Sequence, residues 1–186
     1  MLIQTEQTPN PSTLKFLPGE EVMGNRGTAN FLRKDQHINS PLVRKIFEIE
    51  DISGVLLGYD FITVTKHITQ DWKILTKQIF IKIMEHYTSG DCILDLEIKN
   101  KSLFQDQDDN NPLIRKIKQL LDTRIRPAVA QDGGDIIFHH FTDGIVYLEM
   151  HGACSGCPSS TATLKVGIEN MLRYYIPEVQ EVRAIT

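Results

Sequence analysis

The stretch Asp135–Ser160, DIIFHHFTDGIVYLEMHGACSGCPSS, decides the reading of the C-terminal half of this chain. Asp135 to Phe141 and Ile145 to Met150 are rich in β-branched and aromatic residues. They flank Thr142-Asp143-Gly144, a turn signal in which glycine accepts positive φ, so two antiparallel strands are expected. Directly after the second strand, two thiols stand three positions apart in a loop with Gly152 and Gly156. These glycines remove side chains that would crowd a bulky ligand and free the backbone N–H groups to turn toward sulfur.

Working outward, Ser159 or Ser160 is expected to cap a helix in which Leu164, Ile168, Met171, Leu172 and Tyr175 share a face. Pro177 stops that helix before a last strand, Val179 to Ile185. Upstream, Leu113, Ile117, Leu120 and Leu121 form an apolar helical face, widened by Ile114 and Ile125, and the helix must end before Pro127 or kink there. Asp132-Gly133-Gly134-Asp135 reads as a turn in preference to a device that positions the cysteine loop. The order is helix, strand, strand, cysteine loop, helix, strand.

Residues 100–111, NKSLFQDQDDNN, interrupt the periodicity and read as a flexible linker between domains at 1–99 and 112–186. Basic and acidic residues number 11 and 13 before it, 1 and 3 within it, and 8 and 8 after it. In the first domain, Leu2–Glu6 and Thr13–Leu17 are expected strands around a TPNPS turn. Ser40-Pro41 starts a short helix through Leu42, Val43, Ile46, Phe47 and Ile49, with Gly54 marking its exit. Val55–Tyr59 and Phe61–Lys66 read as a hairpin, Asp71 as the cap of a helix carrying Trp72, Leu75, Ile79 and Ile83, and Ile93–Ile98 as a closing strand. The fold class is α+β, in two small domains.

The chain has 186 residues, 41% of them hydrophobic, and only three cysteines, which excludes a disulfide-stapled miniprotein. Its net charge of −4 supplies no basic field for nucleic acid, and no apolar run is long enough to cross a bilayer. Its first residues, MLIQTEQTPNP, carry neither a signal-peptide core nor an Arg-rich transit bias. A cytoplasmic location is expected for a bacterial chain, or the mitochondrial matrix for a processed eukaryotic one.

Cys154 and Cys157 are the candidate metal and cofactor ligands. A following helix N-terminus favours thiolate over thiol. Three chemistries use such a pair. A dithiol oxidoreductase expects a strand leading straight into a helix that carries the cysteines in its first turn. A closed zinc site needs four ligands, and this half offers His139, His140 and His151 besides the two thiols. His139 and His140 are neighbours on an expected strand, where adjacent side chains take opposite faces, so they should not ligate together. Iron–sulfur clusters bind four thiolates, and a symmetric dimer supplies the missing pair. Cys92, at the start of an expected strand, reads as a buried thiol. His37, His67 and His86 read as surface or satisfied polar groups, and Arg33-Lys34 and Arg44-Lys45 as solvated surface. No nucleophile–base pair or phosphate-cradling loop suggests small-molecule turnover.

RPAVAQDGGDI (Arg126–Ile136) and GACSGCPSSTATLKVGIENMLRYYIPEV (Gly152–Val179) resemble the cluster-binding domain of the NifU-like (Nfu) iron–sulfur scaffold and carrier family. QTPNPSTLKFLPG (Gln7–Gly19) resembles the N-terminal domain of its two-domain members. The resemblance implies that Cys154 and Cys157 bind a labile cluster, usually [4Fe-4S], bridged between two protomers. It implies delivery to apo-proteins, with upstream cluster-assembly factors as further partners, and no enzymatic turnover. The cysteine-bearing scaffold and ferredoxin-like regions of the longer nitrogen-fixation form are missing from this sequence, which favours delivery or storage over cluster synthesis.

Overall fold

The computed structural model describes residues 2–67, 70–95, 111–156 and 158–185, with the side chains of 158–161 left aside. The chain divides into two compact units, Met1–Lys99 and Asn100–Thr186. Residues 100–110 of the expected linker lie outside the described residues. Asn111 is the cap of the first helix of the second unit, its side chain accepting the Leu113 N–H at 2.9 Å.

Among the described residues, the first unit is a five-stranded antiparallel sheet with two α-helices and a short 3-10 turn at Gly24–Arg26. Strands β1 (Gln4–Gln7), β2 (Thr13–Leu17), β3 (Ala29–Leu32), β4 (Ile52–Leu57) and β5 (Ile62–Lys66) lie in the order β1-β2-β5-β4-β3. Leu14 and Phe16, Val55 and Leu57, and Ile62 and Val64 alternate onto the face that meets the helices. Helix α1 (Pro41–Phe47) adds Leu42, Val43 and Ile46, and α2 (Trp72–Ser89) adds Leu75, Ile79 and Ile83. Each such side chain, fully buried, contributes about 1.5–3 kcal/mol of transfer free energy. The expected caps are in place: Ser40 Oγ accepts from Val43, and Asp71 Oδ1 from Lys73.

Several expectations for this unit are revised. Residues 93–95 form no strand, and 96–98 lie outside the described residues. Instead, Ser40 Oγ donates to the Ile93 carbonyl and the Asp95 N–H to the Asn39 carbonyl, strapping the segment to the start of α1. Cys92 is exposed rather than buried, because Ile93 and Leu94 take the inward positions. Gly54 lies inside β4, next to a bulge, and not at a helix exit. Strand β3 was not expected: ANFL is short, with one of its four residues buried. His86 is fully buried and neither ring nitrogen has a partner, unlike the exposed His37 and His67. Arg33 is exposed, as expected, and its guanidinium also donates to the Ile49 and Ile52 carbonyls. The TPNPS turn gains a role, because Trp72 Nε1 donates to the Pro11 carbonyl at 3.0 Å.

The second unit begins with α3 (Pro112–Leu120), a π-helical turn over Leu121–Ile125, and α4 (Arg126–Gln131). The wide turn stands just before Pro127, which lacks the N–H a regular helix would need, so the helix passes the proline instead of ending at it. Strands β6 (Gly134–Thr142) and β7 (Ile145–Gly152) form the expected antiparallel hairpin, with Asp143 and Gly144 at φ 50° and 78° in its turn. Helix α5 (Pro158–Tyr175) then crosses over to β8 (Glu181–Ile185), parallel to β7, giving the order β6-β7-β8. It starts at Pro158, before the serines expected to cap it, and proline's fixed φ suits a first helical position. Along β7 every second residue is buried, so Val146, Leu148 and Met150 join Ile136, Val182, Ile117, Leu121, Ile168 and Leu172 in one core.

Candidate functional site

The inward alternation of β7 delivers the chain to the cysteine loop. Gly152 adopts φ 59° and Gly156 φ 79°, conformations that side-chain-bearing residues rarely hold. Between them the loop closes on itself: the Cys154 N–H donates to the His151 carbonyl at 3.2 Å, and the Ser155 N–H and hydroxyl donate to the Gly152 carbonyl at 3.1 and 3.0 Å. The Ala153 N–H donates to the Gly133 carbonyl at 3.1 Å, tying the loop to the turn before β6.

That turn is both of the things weighed from sequence. Gly133 holds φ 78°, as a turn requires. Gly134 has a different job, since a β-carbon there would lie 2.2 Å from Cys154 Sγ and 3.1 Å from its nitrogen. The Gly-Gly pair therefore positions the cysteine loop as well as turning the chain. Cys154 is 5% exposed and belongs to the apolar core, deeper than a free loop would place it.

Asp135 follows Gly134 and is itself buried. Arg126 holds it with two parallel bonds, Nε to Oδ1 at 2.8 Å and Nη2 to Oδ2 at 2.9 Å, and reaches Asp122 Oδ1 at 3.1 Å. The Ile136 N–H also donates to Asp135 Oδ1 at 2.8 Å. The Arg126 guanidinium is raised in pKa, chiefly by its hydrogen bonds to Asp135, despite partial burial. RPAVAQDGGD is thus a brace: arginine and aspartate fix the ends of the turn on which Cys154 rests.

Burial pushes the Cys154 thiol up to about 12, and the carboxylates of Asp135 and Asp132 push the same way. For Cys154, burial and the two carboxylates oppose the thiolate that a helix N-terminus was expected to favour. Cys157 lies outside the described residues; in the chain it immediately precedes α5. His151 turns to the other side of β7, where Nε2 stands 2.9 Å from Glu149 Oε1. Among the described residues no three His, Cys, Asp or Glu side chains gather as a metal site.

The expectation that His139 and His140 take opposite faces does not hold. Phe138 pairs with Leu148 and His140 with Tyr147, so His139 is the extra residue of a bulge, and the two ring Nδ1 atoms face each other at 2.7 Å. The signal for this was the unlike lengths of the paired runs, which sequence periodicity does not register.

Two family models match the chain in order: the scaffold protein Nfu/NifU N-terminal region over residues 3–90, and the NifU-like domain over residues 117–183. A Drosophila willistoni protein described as a mitochondrial NFU1 iron-sulfur cluster scaffold homolog is 45% identical over 185 residues, covering all of this chain and 64% of its own length. The human protein of the same description is 46% identical over 186 residues and is covered over 72% of its length. This chain therefore spans somewhat less than two thirds of the length of the Drosophila relative. A solution structure of a NifU-like protein from Saccharomyces cerevisiae aligns at TM-score 0.47 and 24% identity, over 52% of this chain and 87% of its own. No described helix is long and apolar enough to cross a membrane. With both domain models matched in N-to-C order and similarity to NFU1 proteins along the whole of this chain, it belongs to the Nfu family of two-domain NifU-like proteins.

Proposed function

We propose that this protein carries iron–sulfur clusters, with Cys154 and Cys157 as the ligands of a transient [4Fe-4S] cargo shared by two copies of the chain. The observation that carries the reading is the seating of Cys154: its sulfur lies in a recess left by Gly134, on a loop braced by Arg126 and Asp135, three residues before Cys157. The names of the relatives, iron-sulfur cluster scaffold homologs, support the cargo class. One chain offers two thiols in this loop and a four-iron cluster takes four, so a twofold pair completes the site.

On loading, the Cys154 S–H bond breaks, the sulfur binds iron and the proton goes to solvent; on delivery the proton returns as iron leaves. A buried thiol resists staying a bare thiolate, which favours handing the cluster on over keeping it. The same burial speaks against the dithiol oxidoreductase reading, since an attacking cysteine needs an exposed, acidified thiol. The first unit, residues 1–99, bears no comparable thiol pair and would adjust client choice or dimer geometry, with residues 100–111 as the linker. Of the two compartments expected from sequence, the mitochondrial names of the relatives favour the matrix.

Anaerobic reconstitution tests the reading. About four irons and four sulfides per dimer are expected, with transfer to an apo [4Fe-4S] enzyme. Cys154→Ser and Cys157→Ser should each abolish the brown chromophore. Full cluster occupancy in a strict monomer would overturn the shared site, and a chromophore that survives both substitutions would overturn the ligand assignment.

A further inference from the structure

The far end of the β6–β7 hairpin carries a second arrangement of metal-ligating side chains. In a regular strand the rings of His139 and His140 would point to opposite faces. The bulge between Phe138 and His140 places an extra residue in β6 and turns both imidazoles to one side. Their Nδ1 atoms stand 2.7 Å apart, with ring planes 69° to each other. His140 is held in this pose by stacking on Tyr147, its cross-strand partner, at 4.1 Å between centroids and 13° between planes.

We propose that His139 and His140 form a binding site for a divalent late first-row transition metal, chelated through the two Nδ1 atoms and completed by water. Metal–nitrogen bonds of about 2.0–2.1 Å at a right angle place two nitrogens about 2.9 Å apart, whereas a tetrahedral ion needs about 3.3 Å. The observed 2.7 Å is nearer the first, so Cu²⁺ or Ni²⁺ fits with less ring movement than Zn²⁺. In the metal-free pair one Nδ1–H donates to the other Nδ1. Chelation needs both lone pairs, so that proton moves to Nε2 of the same ring and no net proton is released.

His140 lies six positions along β6 from Gly134, where Cys154 rests, about 20 Å on an extended strand. The histidine site is therefore distinct from the thiol loop and independent of the cluster reading. Both histidines are half-buried, so an aqueous ion has access.

The test uses the full chain with Cys92, Cys154 and Cys157 changed to serine, which removes thiol binding and copper-driven oxidation. One equivalent of Cu²⁺ should give an electron paramagnetic resonance spectrum with superhyperfine structure from two nitrogens. His139→Asn, which leaves the Tyr147 stack in place, and His140→Gln should each remove one nitrogen and weaken binding at least about tenfold. Circular dichroism of each variant establishes that the hairpin persists. Cu²⁺ affinity and spectra unchanged by both substitutions, or no binding by the parent chain, would overturn the site.

Discussion

Gly134 and Cys154 are packed so closely that a β-carbon on the glycine would lie 2.2 Å from the cysteine sulfur. The sulfur would have to turn out of the recess about χ1, and the Cys154 backbone nitrogen and β-carbon, 3.1 and 3.3 Å from that point, would have to give as well. Gly134→Ala is therefore expected to unseat the Cys154 sulfur and shift the loop slightly. The expected cost is about 1–3 kcal/mol, as for overpacked cores, measured by urea unfolding of the metal-free protein. Anaerobic cluster loading should fall as well. An alanine variant with wild-type stability and wild-type loading would show that the recess does not set the loop.

Arg126 and Asp135 share a bidentate pair in which the carboxylate is buried and the guanidinium about one-third exposed. Arg126→Ala leaves Asp135 buried without its cation. Discounted for the solvent at the arginine end, the loss should be about 2–3 kcal/mol. The Arg126→Ala/Asp135→Asn double variant should recover part of it, because no unpaired charge remains. A double variant as unstable as the sum of the two single ones would argue against direct coupling.

His86 gives the first unit a dependence on acid. Burial, the largest cause, and the charge of Lys45 lower its pKa below 6.5. The folded state therefore resists a proton that the unfolded chain accepts. Stability is fully present above about pH 6.5 and declines as pH falls below it, with a limiting slope of about 1.4 kcal/mol per pH unit. Urea midpoints between pH 7.5 and 5 measure this, and His86→Phe should flatten the profile. An equal slope in that variant would assign the effect to other groups.

Trp72 joins α2 to the TPNPS turn through its bond to the Pro11 carbonyl. Trp72→Phe keeps most of the apolar contact and removes the donor. A loss of about 0.5–1.5 kcal/mol is expected. Amide exchange around residues 10–13 should quicken with it. Unchanged exchange in that turn would leave the bond without a structural role.

The α+β class, the hairpins, the Asp71 and Ser40 caps and the apolar faces of α2 and α5 were legible in the sequence. Periods of two and near four, and the residues that end them, are local properties. So was the thiol pair, whose spacing and glycine neighbours name a short list of chemistries, and whose flanking motifs resemble one family. Cys92, His86 and β3 were not legible, because their burial depends on which neighbouring residue wins the inward position once the sheet has closed. His139 and His140 show the same limit in register: alternation places them on opposite faces, and only pairing with β7 reveals the extra residue that brings them together. The DGGD segment shows it in distance. Sequence determined that Gly133-Gly134 would turn; only the folded unit placed Cys154 against the space where a side chain at 134 would be. Local chemistry is written residue by residue, but the depth of a thiol, the pairing of a buried aspartate and the meeting of two rings depend on contacts between segments distant in the chain.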